Sequence, residues 1–399
     1  MKQFKARFYD TRTFLSLRPH YYFSAKFLSK FKPSVYIPGI GYIINDPMLA
    51  KSIMKDQEHF SINEGGGLGM LISEIWGKTP NIISMDGDDH KRIKFALLDK
   101  FKEENLQKNL RKELDQLVSV LIDKLSSGED VDLAKYIRIN TLLIMSKLLG
   151  YGNVSEKKLE RVSDLATKVI GSISLFRKTY SNYTREKVVG YTEEFKEISK
   201  EYYSIGIKDK NSLIYELSKL GYSESDTYGF ISMFLVAGTV TISSSFPRLI
   251  AVLIDTGLVN ELKDDDDLIE SAINEAFRYI TPGTTALYGV KKDYVINGKK
   301  YIKGKRIIIS TYNILHDKAY TPKPYVYDLS RIQNKQIDGL WFGAGAHFCM
   351  GSILAKLEFK LLLKGIISLN GKLIIKERTY RKIGAYPSYE KLVISLVWK

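Results

Sequence analysis

The stretch Phe342-Gly343-Ala344-Gly345-Ala346-His347-Phe348-Cys349-Met350-Gly351 sets three glycines around the single cysteine of the chain. Glycine accepts backbone conformations that other residues avoid, so this loop can turn tightly and aim its N–H groups at a sulfur atom. Leu354, Ala355 and Glu358 follow at helical spacing, and the N-terminus of a helix favours a thiolate. A buried structural cysteine beside a flexible turn is the alternative. The pattern favours Cys349 as a thiolate ligand of a metal ion.

The composition excludes several classes of protein. One cysteine rules out an intramolecular disulfide, a four-cysteine iron–sulfur cluster and the common cysteine-rich zinc sites. Lysine and arginine outnumber the acids 60 to 45, and the excess is spread along the chain without a nucleic-acid-binding module. The first residues, MKQFKARFYD, lack the apolar run of a signal peptide or membrane anchor. We expect a soluble cytoplasmic protein that binds no nucleic acid and suits an acidic protein partner.

The chain shows no linker, repeat or change of composition, so we expect one domain spanning residues 1–399. Short β-branched runs at 35–37 and 42–44 predict a β-rich part over about 1–60. Helical spacing dominates about 85–280, including a long apolar segment at 226–254 that Pro247 should kink or break. Asn297-Gly298 predicts a hairpin, and 392–397 predicts a terminal strand. The fold class is α+β, predominantly helical, with a large helical bundle and small antiparallel sheets.

Three helical motifs have a plain structural interpretation when each is taken without the cysteine loop. Glu275 and Arg278 lie at i, i+3, a spacing that by itself usually gives a solvated surface pair. Ala237-Gly238-Thr239-Val240-Thr241 brings small residues and hydroxyls into the long helix, where easier helix packing is the plain interpretation. His90 and Lys94 share a helix face at i, i+4. In isolation each histidine is more readily explained by a surface or core role.

The cysteine loop, from Phe342 through Glu358, resembles the signature of the cytochrome P450 family at every defining position. The 237–241 segment is similar to the family's A-G-x-(acid)-T, and Glu275-Ala276-Phe277-Arg278 to its E-x-x-R. The resemblance extends over most of the chain and implies the family's fold and a haem b cofactor. It also implies a soluble prokaryotic protein, and high lysine, isoleucine and tyrosine usage points to a small thermophilic archaeal member.

The resemblance implies a role for each matching residue. Cys349 would ligate the iron, and Arg331 would join the buried Glu275–Arg278 pair that holds the fold around the haem. Thr241 would hydrogen-bond dioxygen and relay protons, beside Ala237, Gly238 and Thr239. The remaining haem contacts are assigned to Phe342, Gly343, Gly351 and Ala355 in and after the loop and, at the haem carboxylates, to His90, Lys94, His347 and Tyr288. His20, His59 and His316 keep a plain structural role.

The sequence departs from the family pattern at Val240, which stands where an acid is usual. A valine carries no proton, so proton delivery must use water, Thr239, Thr241 or a substrate group. We expect slower or leakier turnover with dioxygen, and comparatively good turnover with peroxide.

The function implied is a monooxygenase that inserts one atom of dioxygen into a small-to-medium apolar substrate. Electrons would come from a separate donor, plausibly an acidic ferredoxin, docking near Lys91, Arg92, Lys94, Lys100 and Lys102. The pocket walls would come from the loop after Gly67, the stretch 170–176, the long helix and 284–286, with Leu71, Thr284 and Thr285 as candidate contacts. Two alternatives are a peroxide-driven peroxygenase and a non-catalytic haem-binding or sensor protein.

Overall fold

Helices make up most of the fold, and small sheets flank them. The computed structural model describes residues 2–17, 19–77, 79–172, 182–384 and 386–398 of the 399. The helices are α1 (Lys2–Leu17), α2 (Pro19–Leu28), α3 (Pro47–Lys55), α4 (Leu68–Trp76), α5 (Gly87–Leu98), α6 (Glu103–Ser126), α7 (Leu133–Leu148), α8 (Glu156–Ser172), α9 (Asn182–Gly206), α10 (Leu213–Lys219), α11 (Glu224–Thr256), α12 (Asp266–Ile280), α13 (Thr311–Leu315) and α14 (Ser352–Ile367). The α+β class with predominant helix is confirmed.

The strands form three sheets. They are β1 (Ser34–Ile37), β2 (Gly41–Ile44), β3 (Phe60–Ser61), β4 (Val131–Asp132), β5 (Ala286–Val290), β6 (Tyr294–Ile296), β7 (Lys299–Tyr301), β8 (Arg306–Ile309), β9 (Lys372–Tyr380) and β10 (Tyr389–Val397). The sheet orders are β1-β2-β8-β5-β3, β4-β10-β9 and β6-β7. Strands β2 and β8 pair in parallel because the helical part of the chain runs between them. The other pairs are antiparallel.

Helix α11 runs through the core. Ser223 caps its N-terminus in a capping box with Asp226, and Gly257 ends it with a positive φ of 80°. It is long and apolar enough to cross a membrane, but 72% of its most apolar window is buried inside the protein. Of the kink or break predicted at Pro247, the break does not occur, since the helix continues through that residue to Thr256. Packing against α7, α8, α9 and α1 offsets the cost of one missing helical hydrogen bond.

The expectation of a β-rich part over 1–60 is wrong for its first half. Helices α1 and α2 occupy most of the first 28 residues, and strands begin only at Ser34. Ala6, Asp10, Thr13 and Phe14 are the buried residues of α1, and their spacing of three to four residues is helical. Two of these four positions are polar, so a search for apolar periodicity passes over the helix.

The hairpin and terminal-strand predictions are confirmed. Asn297 and Gly298 have φ values of 50° and 75° and join β6 to β7, as a tight hairpin turn requires. The predicted strand at 392–397 lies within β10, which pairs with β9 along its length.

Candidate active site

The cysteine loop connects a short turn at 340–342 to the start of α14. Gly343 and Gly345 adopt φ values of 81° and 69°, and the Cys349 N–H donates to the Phe342 carbonyl at 2.9 Å. A Cβ on Gly345 would lie 2.5 Å from the Met54 carbonyl oxygen, so the close approach of the loop to α3 requires glycine there.

Cys349 is an exposed residue, although neighbouring protein atoms are dense around its sulfur. Burial raises the pKa of the thiol, whereas the Gly351 N–H and the Lys94 ammonium lower it. A bound cation at this sulfur would favour the thiolate further. The surroundings therefore suit a sulfur that is ionised when it binds a metal.

Lys94 of α5 holds the loop directly. Its Nζ donates to the Ala346 carbonyl at 2.6 Å and also to the Phe348 carbonyl. Lys94 was expected to face a haem carboxylate. Two of the three N–H donors of its ammonium instead bind carbonyls of the cysteine loop. The ammonium thus ties α5 to the residues on either side of His347.

A polar cluster lies beside the loop. The rings of His90 and His347 are 4.3 Å apart, and His347 Nε2 lies 2.7 Å from Asp86 Oδ1. Burial, and then the positive charges of His347 and Lys94, lower the pKa of His90 to about 4, so the imidazole is neutral at pH 7. His90 Nδ1 is buried and has no hydrogen-bond partner among the described residues.

Asp86 organises this cluster, and sequence reasoning missed it. It accepts hydrogen bonds from the Ser61 hydroxyl and the Ile62 N–H as well as from His347. Although burial opposes them, the bonds from His347 and Ser61 hold the pKa of Asp86 below its usual range. Tyr288 is buried nearby on β5, where burial and then the Asp86 charge raise the pKa of its hydroxyl. The sequence did offer one signal for Asp86. It directly precedes α5, and His90 lies in the first turns of that helix, so the two residues had to be close.

The hydroxyls of α11 differ in their surroundings. Thr241 is half-buried and donates to the Ala237 carbonyl at 3.1 Å, whereas Thr239 is fully buried and donates to the Leu235 carbonyl at 2.7 Å. A Cβ on Gly238 would lie 2.4 Å from the Met145 methyl carbon, so this glycine allows α11 to approach α7. Of the two threonines, Thr241 is the less buried.

Glu275 of α12 binds two arginines in the protein interior. Arg278 Nε and Nη2 lie 2.7 and 2.8 Å from the two carboxylate oxygens, and Arg331 Nε lies 3.0 Å from Oε1. The side chains of Glu275 and Arg278 are fully buried, so this is not a solvated surface pair. Gln333 also donates to Glu275 at 3.2 Å, a contact that sequence reasoning did not find.

The remaining candidate site residues lie near the cysteine loop or on other elements of the fold. Phe342 packs against Phe277 of α12, with ring centroids 4.9 Å apart. Ala355 and Leu71 are buried, Thr285 is half-buried, and the carbonyl of Thr284 accepts the Tyr312 N–H at 3.0 Å. Of the stretch 170–176, residues 173–176 lie outside the described residues.

These residues fit a haem group. Its iron needs a thiolate, which Cys349 can supply, and its carboxylates need donors in a partly buried setting. The buried, unpartnered Nδ1 of His90 beside His347 is such a donor, as a neutral imidazole N–H in one of its two tautomers. The Cys349 thiolate thus suits the haem iron, and the nitrogen and hydroxyl donors suit the haem carboxylates.

Comparison with known proteins shows which class of protein the chain is similar to. The family model for cytochrome P450 matches residues 266–369, which contain the Glu275 cluster and the cysteine loop. The polyketide biosynthesis cytochrome P450 PksS of Bacillus subtilis is 25% identical over 331 residues, covering 79% of this chain and 78% of PksS. Cytochrome P450 CYP107DY1 of Priestia megaterium is 23% identical, covering 79% and 77%.

Solved structures share the fold. P450BioI, in complex with an acyl carrier protein ligated to hexadec-9Z-enoic acid, has a TM-score of 0.80 at 18% identity and covers 96% of this chain and all of its own. A mutant of P450 EryK in complex with erythromycin B has a TM-score of 0.78 at 18% identity, covering 94% and 95%.

The chain is similar to cytochrome P450 proteins over most of its length and shares their fold, and this similarity indicates a monooxygenase with a haem-thiolate cofactor. The two curated relatives named here are bacterial, so the expectation of a thermophilic archaeal source gains no support from them.

Proposed function

We propose that this protein inserts one atom of dioxygen into a small-to-medium apolar substrate, and that Cys349 would hold the iron of a haem b group. The observation that carries the proposal is the cysteine loop, where Lys94 and two left-handed glycines fix the backbone around an exposed cysteine. We propose that it acts as one soluble domain in the cytoplasm.

The cluster around Asp86 would hold the haem carboxylates. His90 offers a buried neutral N–H, and Tyr288 offers a hydroxyl that burial keeps protonated. Asp86 accepts from His347 and so fixes the orientation of that ring. An acid so close to the carboxylates would repel them, and we propose that its hydrogen bonds to Ser61 and Ile62 offset part of this repulsion.

Bound haem iron supplies the activation of dioxygen, and the chain supplies positioning and protons. We assign the proton relay to Thr241, because the residue is only half-buried and its hydroxyl is oriented by the Ala237 carbonyl. Thr239 is fully buried, so its hydroxyl is poorly placed to exchange protons with water. Val240 contributes no acid, and water must complete the relay.

Electrons would come from a separate donor protein, and an acidic ferredoxin suits the net charge of +15. The basic set near α5 is partly neutralised: Lys91, Arg92, Lys100 and Lys102 each lie within 4 Å of an acid, and Lys94 points into the loop. Phe95 on the same helix is 83% exposed, so we propose that apolar contact contributes to docking alongside charge.

The test is the absorption spectrum of the reduced, carbon monoxide-treated protein beside a Cys349→Ser variant. Thiolate ligation gives a strongly red-shifted Soret band in the wild type that disappears in the variant. A spectrum typical of histidine ligation in both proteins, or no haem in the wild type, would show that Cys349 is not the ligand.

Val240 favours peroxide-driven oxygenation as a second candidate function. The two functions differ in their stoichiometry, since a monooxygenase consumes dioxygen and reductant in step with product. Val240→Glu restores an acid beside Thr241, and we expect it to lower the fraction of electrons lost to peroxide. An unchanged rate together with an unchanged peroxide fraction would refute the role assigned to this position.

A further inference from the structure

The outer face of α2 and of the turn after it carries a row of exposed phenylalanines. Phe23 and Phe27 lie four residues apart and so share one face of the helix. They are 61% and 59% exposed, and Phe31 in the following turn is 42% exposed. The ring of Phe31 contacts that of Phe27, with centroids 5.6 Å apart. These rings form a contiguous apolar patch, unlike apolar residues that are scattered singly over a surface.

Helix α2 is held in place from its inner side. The Asn313 side chain donates to the Ala25 carbonyl at 2.8 Å. The Asn45 side chain donates to the Leu28 and Phe31 carbonyls at 2.8 and 3.1 Å. Because these bonds fix both the helix and the turn, the phenylalanines cannot rotate into the core without breaking them.

The apolar row is accompanied by positive charge. Lys26 and Lys30 are exposed, and neither has an acid within 4 Å among the described residues. No aspartate or glutamate occurs between residues 10 and 46. The next cation, Lys32, does have a partner, since it forms an ion pair with Asp317. The outer face of α2 therefore suits a partner that is negatively charged as well as apolar.

The residue types favour lipid over protein as this partner. Protein interfaces are enriched in tyrosine, tryptophan and arginine and depleted in lysine. Helices that lie on a membrane place phenylalanine or leucine towards the acyl chains and lysine towards the headgroups. Lys30 Nζ lies 5.9 Å from the centre of the Phe27 ring, and the long lysine stem lets the ammonium stay at the surface while the ring goes deeper.

We propose that the outer face of α2, formed by Phe23, Lys26, Phe27, Lys30 and Phe31, binds the surface of a membrane that contains anionic phospholipids. The rings enter the boundary between headgroups and acyl chains, and the two ammonium groups meet lipid phosphates. With 10 residues, α2 lies on the bilayer and does not cross it, so the contact is peripheral and reversible. This binding does not depend on the haem chemistry proposed above.

Co-sedimentation of the full-length, haem-loaded protein with vesicles tests the apolar part of this face. The vesicles are phosphatidylcholine, either alone or with about 30% phosphatidylglycerol, at about 0.1 M salt. We expect Phe27→Ser to weaken binding to the anionic vesicles about tenfold, because one ring no longer enters the bilayer. The control Phe95→Ser removes an exposed ring from α5 and should bind as the wild type does.

A second pair of variants tests the charged part. The double variant Lys26→Gln/Lys30→Gln should bind the anionic vesicles about 25-fold more weakly, about fivefold for each lysine. Its control, Lys108→Gln/Lys112→Gln, removes two exposed lysines at the same spacing from α6 and has the same net charge. We expect this control to lose less than about twofold, since its lysines lie away from the lipid.

Equal losses in the α2 variants and in their controls would overturn the proposal, because binding would then follow net charge alone. A wild type that does not bind the anionic vesicles would do the same. Self-association in analytical ultracentrifugation that Phe27→Ser abolishes would show that a second copy covers this face instead. Tighter binding to an acidic peptide than to vesicles, again dependent on Phe27, would assign the face to a protein. Circular dichroism checks the fold, and Phe23→Ser replaces Phe27→Ser if the latter does not fold.

Discussion

At the scale of single residues, Glu275 shows how burial changes the value of a common motif. A glutamate and an arginine three residues apart are worth little on a surface. Here the carboxylate is fully buried and accepts from Arg278, Arg331 and Gln333, and Arg278 also donates to the Leu315 and Pro324 carbonyls. The cluster therefore ties α12 to two stretches of irregular chain that lead to the cysteine loop.

We predict that Glu275→Ala lowers the free energy of unfolding by about 3–5 kcal/mol, because it removes the carboxylate that neutralises the fully buried Arg278 and the partly buried Arg331. Urea unfolding followed by circular dichroism measures this loss. Glu270→Ala is the matched control on the same helix, since its partner Lys356 lies 3.7 Å away at the surface. Similar losses in both variants would show that the buried cluster is not important for stability.

The burial of His316 should make the stability of the protein depend on pH. It is buried between the rings of Tyr312 and Tyr325, and its Nδ1 lies 2.9 Å from the Tyr312 carbonyl oxygen. Burial, and then the charge of Arg278, hold the pKa of His316 well below 6.5. As the pH falls below 6.5, the unfolded chain takes up a proton that the folded protein does not, so stability is lost.

We predict that this single residue contributes a slope of up to about 1.4 kcal/mol per pH unit to the loss of stability below pH 6.5. His316→Phe should flatten the dependence of the urea midpoint on pH in that range, whereas His20→Asn, at an exposed position, should not. An unchanged slope in His316→Phe would mean that other groups account for the acid sensitivity.

Individual site residues could be predicted from the sequence only where their local spacing forms a recognisable pattern. The spacing of Glu275 and Arg278, and of the residues around Cys349, is written in the sequence. The contacts of Lys94 with two loop carbonyls and of Asp86 with His347 join positions more than 250 residues apart. No local pattern encodes such distant pairs, so Asp86 was missed and the contacts of Lys94 were not foreseen.

At the scale of elements, the position of the cysteine loop against α3 depends most on Gly345. We predict that Gly345→Ala sharply reduces the haem content of the purified protein, because the added Cβ would lie 2.5 Å from the Met54 carbonyl oxygen and displace the loop. Gly339→Ala is the control: its φ of 71° gives similar backbone strain, about 1–2 kcal/mol, but its Cβ would meet open space.

The ratio of Soret to protein absorbance measures haem content, and urea unfolding measures stability. Both variants should lose comparable stability from strain, and Gly345→Ala should lose haem in addition. Equal haem contents in the two variants would show that the approach of the loop to α3 does not matter for cofactor binding.

Elements were predictable where one short signal was sufficient. Asn297-Gly298 specifies its hairpin because both residues tolerate a positive φ. Pro247 was expected on local grounds to kink or break α11, which continues through it, and α1 was not foreseen. Both outcomes are decided by packing: Pro247 is fully surrounded by the core, and α1 presents two polar side chains to its buried face.

At the scale of the whole molecule, one buried ion pair joins the beginning, the middle and the end of the chain. Arg248 of α11 is fully buried, and its Nε and Nη2 lie 2.8 and 3.0 Å from the carboxylate oxygens of Asp10 in α1. Its Nη1 also donates to the Pro387 carbonyl just before β10, at 3.3 Å. The N-terminal helix is thus held on the core by a polar contact as well as by Phe14.

We predict that Asp10→Ala costs about 3–5 kcal/mol of unfolding free energy, because it leaves the Arg248 guanidinium buried with a single weak acceptor. Limited proteolysis should then cut within residues 2–17 of the variant before any other site, since α1 has lost its anchor. Glu129→Ala removes an acid from a surface pair with Lys124, 2.9 Å apart, and should change neither result. If α1 stays resistant to proteolysis in Asp10→Ala, its apolar contacts alone hold it, and the polar positions that hid this helix from sequence analysis are not what fixes its place.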